Sequence, residues 1–310
     1  MSAELSPRLH CIAEIFDSNK SVNSAKLVYL SALNSNELKL FTEIWTKTDL
    51  RRRQEIISQL VDLSEVDFSL DFTGVFVLSL LDPDEIIREQ AIAGLDEEEN
   101  YLIIKPLVRT LKEDVSAKVR AAAAMALGKF ALQGELGNLP SYYCETVCKS
   151  LLEVLDNKTE STEVKCRALE AISPFNLPRV KELIETAHHT DDIKLRASAI
   201  YAMGHNYDLA WLPTVLAELN NEEAEIRYEA ANACGELGAE EAMPRLIEMT
   251  ENDDQRVREA AIKALGGIGN QQAKQALSKL AKNPQPGIRE AAKSALKEIQ
   301  FCRDPLSLQD

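Results

Sequence analysis

A 13-residue pattern recurs along this chain at intervals of 31 residues. Four copies align without gaps: Asp192–Gly204, Glu223–Gly235, Asp254–Gly266 and Gln285–Lys297. Their arginines, Arg196, Arg227, Arg258 and Arg289, share one register position. Working backwards, Lys165 takes the arginine slot one period before Arg196, Arg120 and Arg88 also fit it, and Arg53 fits it more weakly. A fixed period of this length marks a repeat array, in which one unit cannot bury its apolar face alone and stacking the units supplies the core.

Each unit reads as two helices. Around Arg258, the apolar residues Val257, Ala261, Ala264 and Leu265 fall on one helical face. Asp254 precedes them as an N-cap, and Gly266 follows as the expected helix stop. A second helical pattern comes next, as in Leu209–Asn220, Glu240–Asn252 and Gln271–Lys282. Pro213 and Pro244 sit in its first turn, where proline is tolerated. The expected fold is therefore all-α, an α-solenoid in which antiparallel helix hairpins stack into a right-handed superhelix, with about eight to nine units. Its second helices are expected to line a concave surface. The step from Arg120 to Lys165 is 45 residues, with the excess expected in Gln133–Ser141 and in a longer helix after Tyr142. Three segments are expected: a degenerate N-terminal cap over 1–80, the solenoid over 81–300 and a short tail over 301–310.

The motif D-x-x-[VI]-R-x-x-A-[AI]-x-A-L-G resembles HEAT repeats, in particular the short-repeat class named after phycobilisome lyases. The likeness covers residues 80–300 well and 20–80 weakly. In HEAT proteins the acid–arginine pair is a structural ladder, which the resemblance implies here for Arg88, Arg120, Asp192, Arg196, Glu223, Arg227, Asp254, Arg258 and Arg289. Position-specific recurrence supports the same role, because recognition residues should differ between units and scaffold residues should recur. Deoxyhypusine hydroxylase shares this architecture and places a di-iron centre on His-Glu pairs. No His-Glu dipeptide occurs here, so that activity does not carry over. Bilin lyases are the other enzymatic relatives, and nothing in the sequence identifies a bilin pocket.

Charge narrows the partner class. The chain holds 35 Lys and Arg against 50 Asp and Glu, for a net charge of −15, which argues against a nucleic-acid binder. The charge is uneven: residues 82–99 and 222–254 are acidic and 263–300 basic. An acidic stretch of this kind could draw in a basic partner segment. The binding candidates drawn from it are Glu240, Glu241, Arg245 and Glu248, with Trp211 added as an aromatic. Trp211 shares its register with Val180, Ala242 and Ala273, which favours burial, and Trp45 reads as N-terminal core. The run Arg51-Arg52-Arg53 reads as a solvated turn, and His205 as a solvated turn residue.

His188 and His189, with Asp191 and Asp192, have the composition of a divalent-metal site. His188, however, aligns with Leu219, Thr250 and Ala281, so closure of a helix against its neighbour is expected instead, with no metal and no cofactor. The six cysteines form no C-x-x-C pair and read as small buried residues. Together with an N-terminus lacking a leader pattern, they suggest a cytoplasmic protein. The expected function is a non-enzymatic scaffold holding a protein or peptide, a basic one where the acidic stretches take part, on its concave face. No nucleic-acid or membrane partner is expected. The alternative is a bilin-lyase-like or other enzyme accessory subunit that positions a substrate protein.

Overall fold

The computed structural model describes residues 11, 12, 14–17 and 21–303, apart from the side chains of 302 and 303. Among these residues the regular structure is entirely helical. The chain divides into two compact units, one of residues 1–130 with 139–150, the other of residues 131–138 with 151–310. The division falls where the repeat period slips by 14 residues.

In the first unit α1 (Ser24–Leu27), α2 (Ser35–Trp45), α3 (Leu50–Val66), α4 (Thr73–Ser79), α5 (Glu85–Ala93) and α6 (Ile104–Glu113) follow one another. Two long helices, α7 (Ala117–Glu135) and α8 (Ser141–Asp156), straddle the division. Their 19 and 16 residues absorb most of the extra period, so the helix runs on through Gln133 before the Asn138 turn. The second unit holds α9 (Thr162–Ile172), α10 (Pro178–His188), α11 (Ile193–His205), α12 (Leu212–Glu218) and α13 (Ala224–Glu236). It ends with α14 (Met243–Met249), α15 (Gln255–Ile268), α16 (Gln271–Leu280) and α17 (Pro286–Arg303). From α3 on, the odd helices carry the arginine slot.

The core of the first unit contains Phe41, Ile56, Leu60, Phe76 and Ile87, all fully buried. Trp45 stacks on Phe41 with ring centroids 5.1 Å apart and donates its indole N–H to Asp82 Oδ2 at 2.6 Å. Arg53 forms an ion pair with the same carboxylate at 3.0 Å. Arg52 is 4 % exposed and donates to the carbonyls of Ile15 and Asp17. Arg52, buried, and Arg53, half-buried, are therefore ties rather than a solvated turn. Their partners lie some 30 residues away in sequence, where no local pattern can show them.

The second unit stacks odd helix on odd helix, from α9 through α11, α13 and α15 to α17, while the even helices pack mainly on the odd ones. Small residues allow this close approach. A Cβ on Gly204 would lie 2.8 Å from Ala233 Cα, one on Gly235 2.8 Å from Ala264 Cα, and one on Gly266 3.1 Å from Ala295 Cβ. Gly266 is accordingly a buried contact inside α15 and not its stop. The helix ends at Gly269, which adopts the left-handed conformation, φ 59°. Lys293 and Lys297 of α17 stand in the registers of Ile262 and Gly266, and both are exposed. Lys297 thus stands where Gly266, one repeat earlier, packs on Ala295.

The recurring arginines do not pair with the acid four residues before them. In five of them, Arg88, Arg120, Arg227, Arg258 and Arg289, Nη1 instead bonds the carbonyls six and five residues back. Arg227 reaches Asn221 and Glu222, both at 2.7 Å, and Arg258 reaches Asn252 at 2.6 Å and Asp253 at 3.0 Å. Arg88, Arg120 and Arg289 repeat the arrangement. These carbonyls lie in the turn between the preceding even helix and the arginine's own helix, so the guanidinium satisfies turn carbonyls that no helix bonds. Asp192 and Asp254 cap their helices as expected, whereas Glu223 makes no side-chain cap. Arg196 comes within 3.8 Å of Glu218.

Candidate functional site

In the second unit the glycine–alanine contacts set the odd helices close together in one layer. Two cavities mark a furrow across this layer. The first, about 460 Å³, is lined by Cys166, Arg167 and Glu170 of α9, Ala197 and Ser198 of α11, and Glu225 and Glu229 of α13. The second, about 390 Å³, continues over Tyr228 and Asn232 of α13 to Arg256, Glu259 and Lys263 of α15 and on to α17.

Helical register explains why these residues share a face. One position after the arginine slot stand Cys166, Ala197, Tyr228 and Glu259; two positions after it stand Arg167, Ser198 and Glu229; five after it stand Glu170, Tyr201, Asn232 and Lys263. Positions three and four apart lie together on a helix surface. These are the positions that change from unit to unit, while the packing positions recur. The signal was present in the sequence as non-recurrence, but a search for recurring motifs passes over it.

The polar groups of the first cavity bridge neighbouring helices. Ser198 Oγ donates to Glu170 Oε1 at 2.6 Å, and Arg167 Nη1 lies 2.7 Å from Glu170 Oε2. Burial pushes the Glu170 carboxyl above the usual carboxylate range. Glu229 is pushed up to about 7, by burial first and then by the charge of Glu170. Next to them His205 is the last residue of α11, not a turn residue, and its ring stacks on Tyr201 with centroids 3.9 Å apart. Farther along the furrow, the Arg256 guanidinium lies 5.8 Å from the Tyr228 ring centre.

Glu229 gives a stability prediction whose sign follows from its shift. A carboxyl raised in the folded state contributes stability below its ordinary value near 4.5, and that contribution is lost as pH rises through 7. Glu229→Gln is therefore expected to be more stable than the parent at pH 8, by on the order of 1–2 kcal/mol after allowance for partial exposure. The gap should close by pH 5. Urea unfolding of the two proteins at both pH values checks it; a constant gap would contradict it.

The other sequence candidates lie elsewhere. Glu240 and Glu241 are exposed on the turn before α14, and Arg245 pairs with the exposed Glu248 at 2.9 Å along α14. Trp211 is half-buried and donates to Asn206 Oδ1 at 3.2 Å; Asn206 in turn donates to the carbonyls of Ser173 and Phe175, tying two hairpins together. His188 Nε2 meets Glu218 Oε1 at 2.8 Å, closing α10 against α12. His189 bonds the Glu185 carbonyl in its own helix. Among the described residues no group of three or more His, Cys, Asp and Glu could hold a metal ion. Cys166 and Cys234 are buried, while Cys11, Cys144 and Cys148 are half-buried. No helix among the described residues is long and apolar enough to cross a membrane.

Residues 212–297 match the family model of HEAT repeats. A search of curated proteins finds no match. Among solved structures, yeast importin-β (Kap95p) aligns over 97 % of this chain and 47 % of its own, with 14 % identity and a TM-score of 0.56. This chain thus spans about half its length. Kap95p bound to RanGDP aligns over 96 % and 46 %, with 15 % identity and a TM-score of 0.52. The CpcE–CpcF complex of phycocyanin lyase from Nostoc sp. PCC7120 aligns over 74 % of this chain and 88 % of that one, with 20 % identity and a TM-score of 0.53. At these identities the likeness is one of fold. The match and the hairpin geometry agree: residues 212–297 are HEAT repeats, and the chain has the all-α, stacked-hairpin fold of an α-solenoid.

Proposed function

We propose that this chain is a non-enzymatic scaffold that holds an extended, basic segment of a partner protein in the furrow of the odd helices. One observation carries the reading: the furrow positions differ from repeat to repeat, while the positions that hold the stack together recur. A surface that varies inside a regular frame is suited to recognising one particular sequence. Acids outnumber bases along it, with Glu163, Glu225, Glu229 and Glu259 facing the lining, which favours a cationic segment. The neighbouring structures lend support, since importin-β is seen with Ran and CpcE with CpcF. The scattered thiols suit a cytoplasmic setting.

A displayed library of random extended peptides, selected on the whole protein, tests this. Selected peptides should be rich in Lys and Arg and should weaken as salt rises from 0.1 to 0.5 M. Reversing two furrow charges, Glu225→Lys with Glu229→Lys, should cost about tenfold or more in affinity. The same reversal on the even side, Glu240→Lys with Glu248→Lys, should change it less than about twofold. Peptides without cationic bias, or indifferent to the furrow variant, would overturn the reading.

A further inference from the structure

The lining of the first cavity includes the small side chains of Ala197 and Ser198. Ala197 and Ser198 stand on α11 where α13 presents Tyr228 and Glu229 at the same register positions, so the layer drops between α9 and α13. Glu170 and Glu229 line the resulting space from helices two repeats apart. Glu170 already holds Arg167 and Ser198. Among the described residues no cation is ion-paired with Glu229, and Arg167, whose charge acts on it, is already held by Glu170. Four acids, Glu163, Glu170, Glu225 and Glu229, line the cavity against two bases, Arg167 and Lys194. The space therefore has room for a long side chain and an unbalanced negative charge at its wall.

We propose that this cavity is the anchor point of the furrow and takes a single cationic side chain, a guanidinium or ammonium group of the partner segment, between Glu170 and Glu229. The proposal rests on the furrow reading and adds the position and chemistry of its main contact. It carries a pH dependence, because the cation must meet an ionised Glu229. The charged groups around that carboxyl are Glu170 and Arg167 on α9 and Lys194 on α11, with Glu225 on its own helix. From α15, Arg256 and Glu259 belong to the adjoining cavity. Binding near neutral pH then releases a proton from the fraction of Glu229 that still carries one.

The test uses the full chain, with acetyl-arginine methylamide as probe and the neutral citrulline amide as its isostere, followed by methyl NMR at Ala197. The arginine probe should shift the Ala197 signal saturably, and citrulline should bind at least about tenfold more weakly. Arginine affinity should rise about tenfold from pH 6 to pH 8 as a group titrating near 7 ionises. Glu229→Gln should lose about tenfold and flatten that profile, while Glu248→Gln should match the parent. Equal binding of citrulline, or unchanged binding by Glu229→Gln, would overturn the anchor. Failure of the two readings is distinguishable. If basic peptides bind the furrow but the arginine probe leaves Ala197 unmoved, the anchor falls and the furrow stands. If the probe binds at Ala197 but selection yields no furrow-dependent peptide, the furrow reading falls and a cation site remains.

Discussion

Replacing Arg88 by methionine is expected to destabilise the first unit by about 3–5 kcal/mol. Arg88 is 7 % exposed and grips Asp114 with two bonds, at 2.6 and 2.9 Å. It also donates to the carbonyls of Asp82 and Pro83 at 2.8 and 3.0 Å. Loss of the guanidinium leaves the Asp114 carboxylate, itself 6 % exposed, buried without its cation. Asp114→Asn should cost less, because Arg88 keeps its two carbonyls. The double variant Arg88→Met, Asp114→Leu should regain part of the loss, since two apolar groups are cheaper to bury than one unpaired charge. Thermal unfolding of the three variants checks the ranking. A single Arg88→Met variant as stable as the parent would show that the arginine slot is not the tie between hairpins described above.

The second large effect reverses a general rule. In an exposed helix, glycine to alanine stabilises by up to about 1 kcal/mol. At Gly235 the same change should destabilise by about 2 kcal/mol, because the new Cβ would meet Ala264 Cα, a backbone atom that cannot swing aside. Gly204→Ala meets Ala233 Cα in the same way, and the double variant should lose roughly twice as much. Gly137→Ala is a useful contrast: its added Cβ would meet nothing within 4 Å, but its φ of 75° alone makes alanine unfavourable, by about 1 kcal/mol. If Gly235→Ala were neutral or stabilising in urea unfolding, the odd helices would not be packed as closely as described.

These two cases also show what could be read in the sequence. The 31-residue period exposed the hairpins, the arginine slot and the slip between Arg120 and Lys165, because periodicity is local and cumulative. The same pattern misled at Gly266. A glycine after an apolar run looks like a helix stop, and only the distance to Ala295 shows it as a contact, with Gly269 as the true end. The acid before each arginine looked like its partner, since charge is visible in a sequence and carbonyls are not. The recurring Asx six residues before the slot, Asp82, Asp114, Asn221, Asn252 and Asn283, was the missed clue to the turn whose carbonyls the arginine binds; each side chain accepts from the backbone N–H two residues on. Charge counting pointed to Glu240 and Glu241 before α14 and Arg245 and Glu248 on it, because a composition window cannot tell one helix face from another. Glu170 and Glu229 come together only through the stack.

Whether a partner lies on the odd helices is best measured by site-specific photo-crosslinking. A photoreactive side chain placed at Tyr228, on the furrow, and in a second protein at Glu248, on the exposed side of α14, would be tested with a selected Lys/Arg-rich peptide. The expected result is efficient crosslinking at position 228, suppressed by salt, and none above background at 248. Crosslinking at 248 with none at 228 would place the binding surface on the even helices and contradict the furrow.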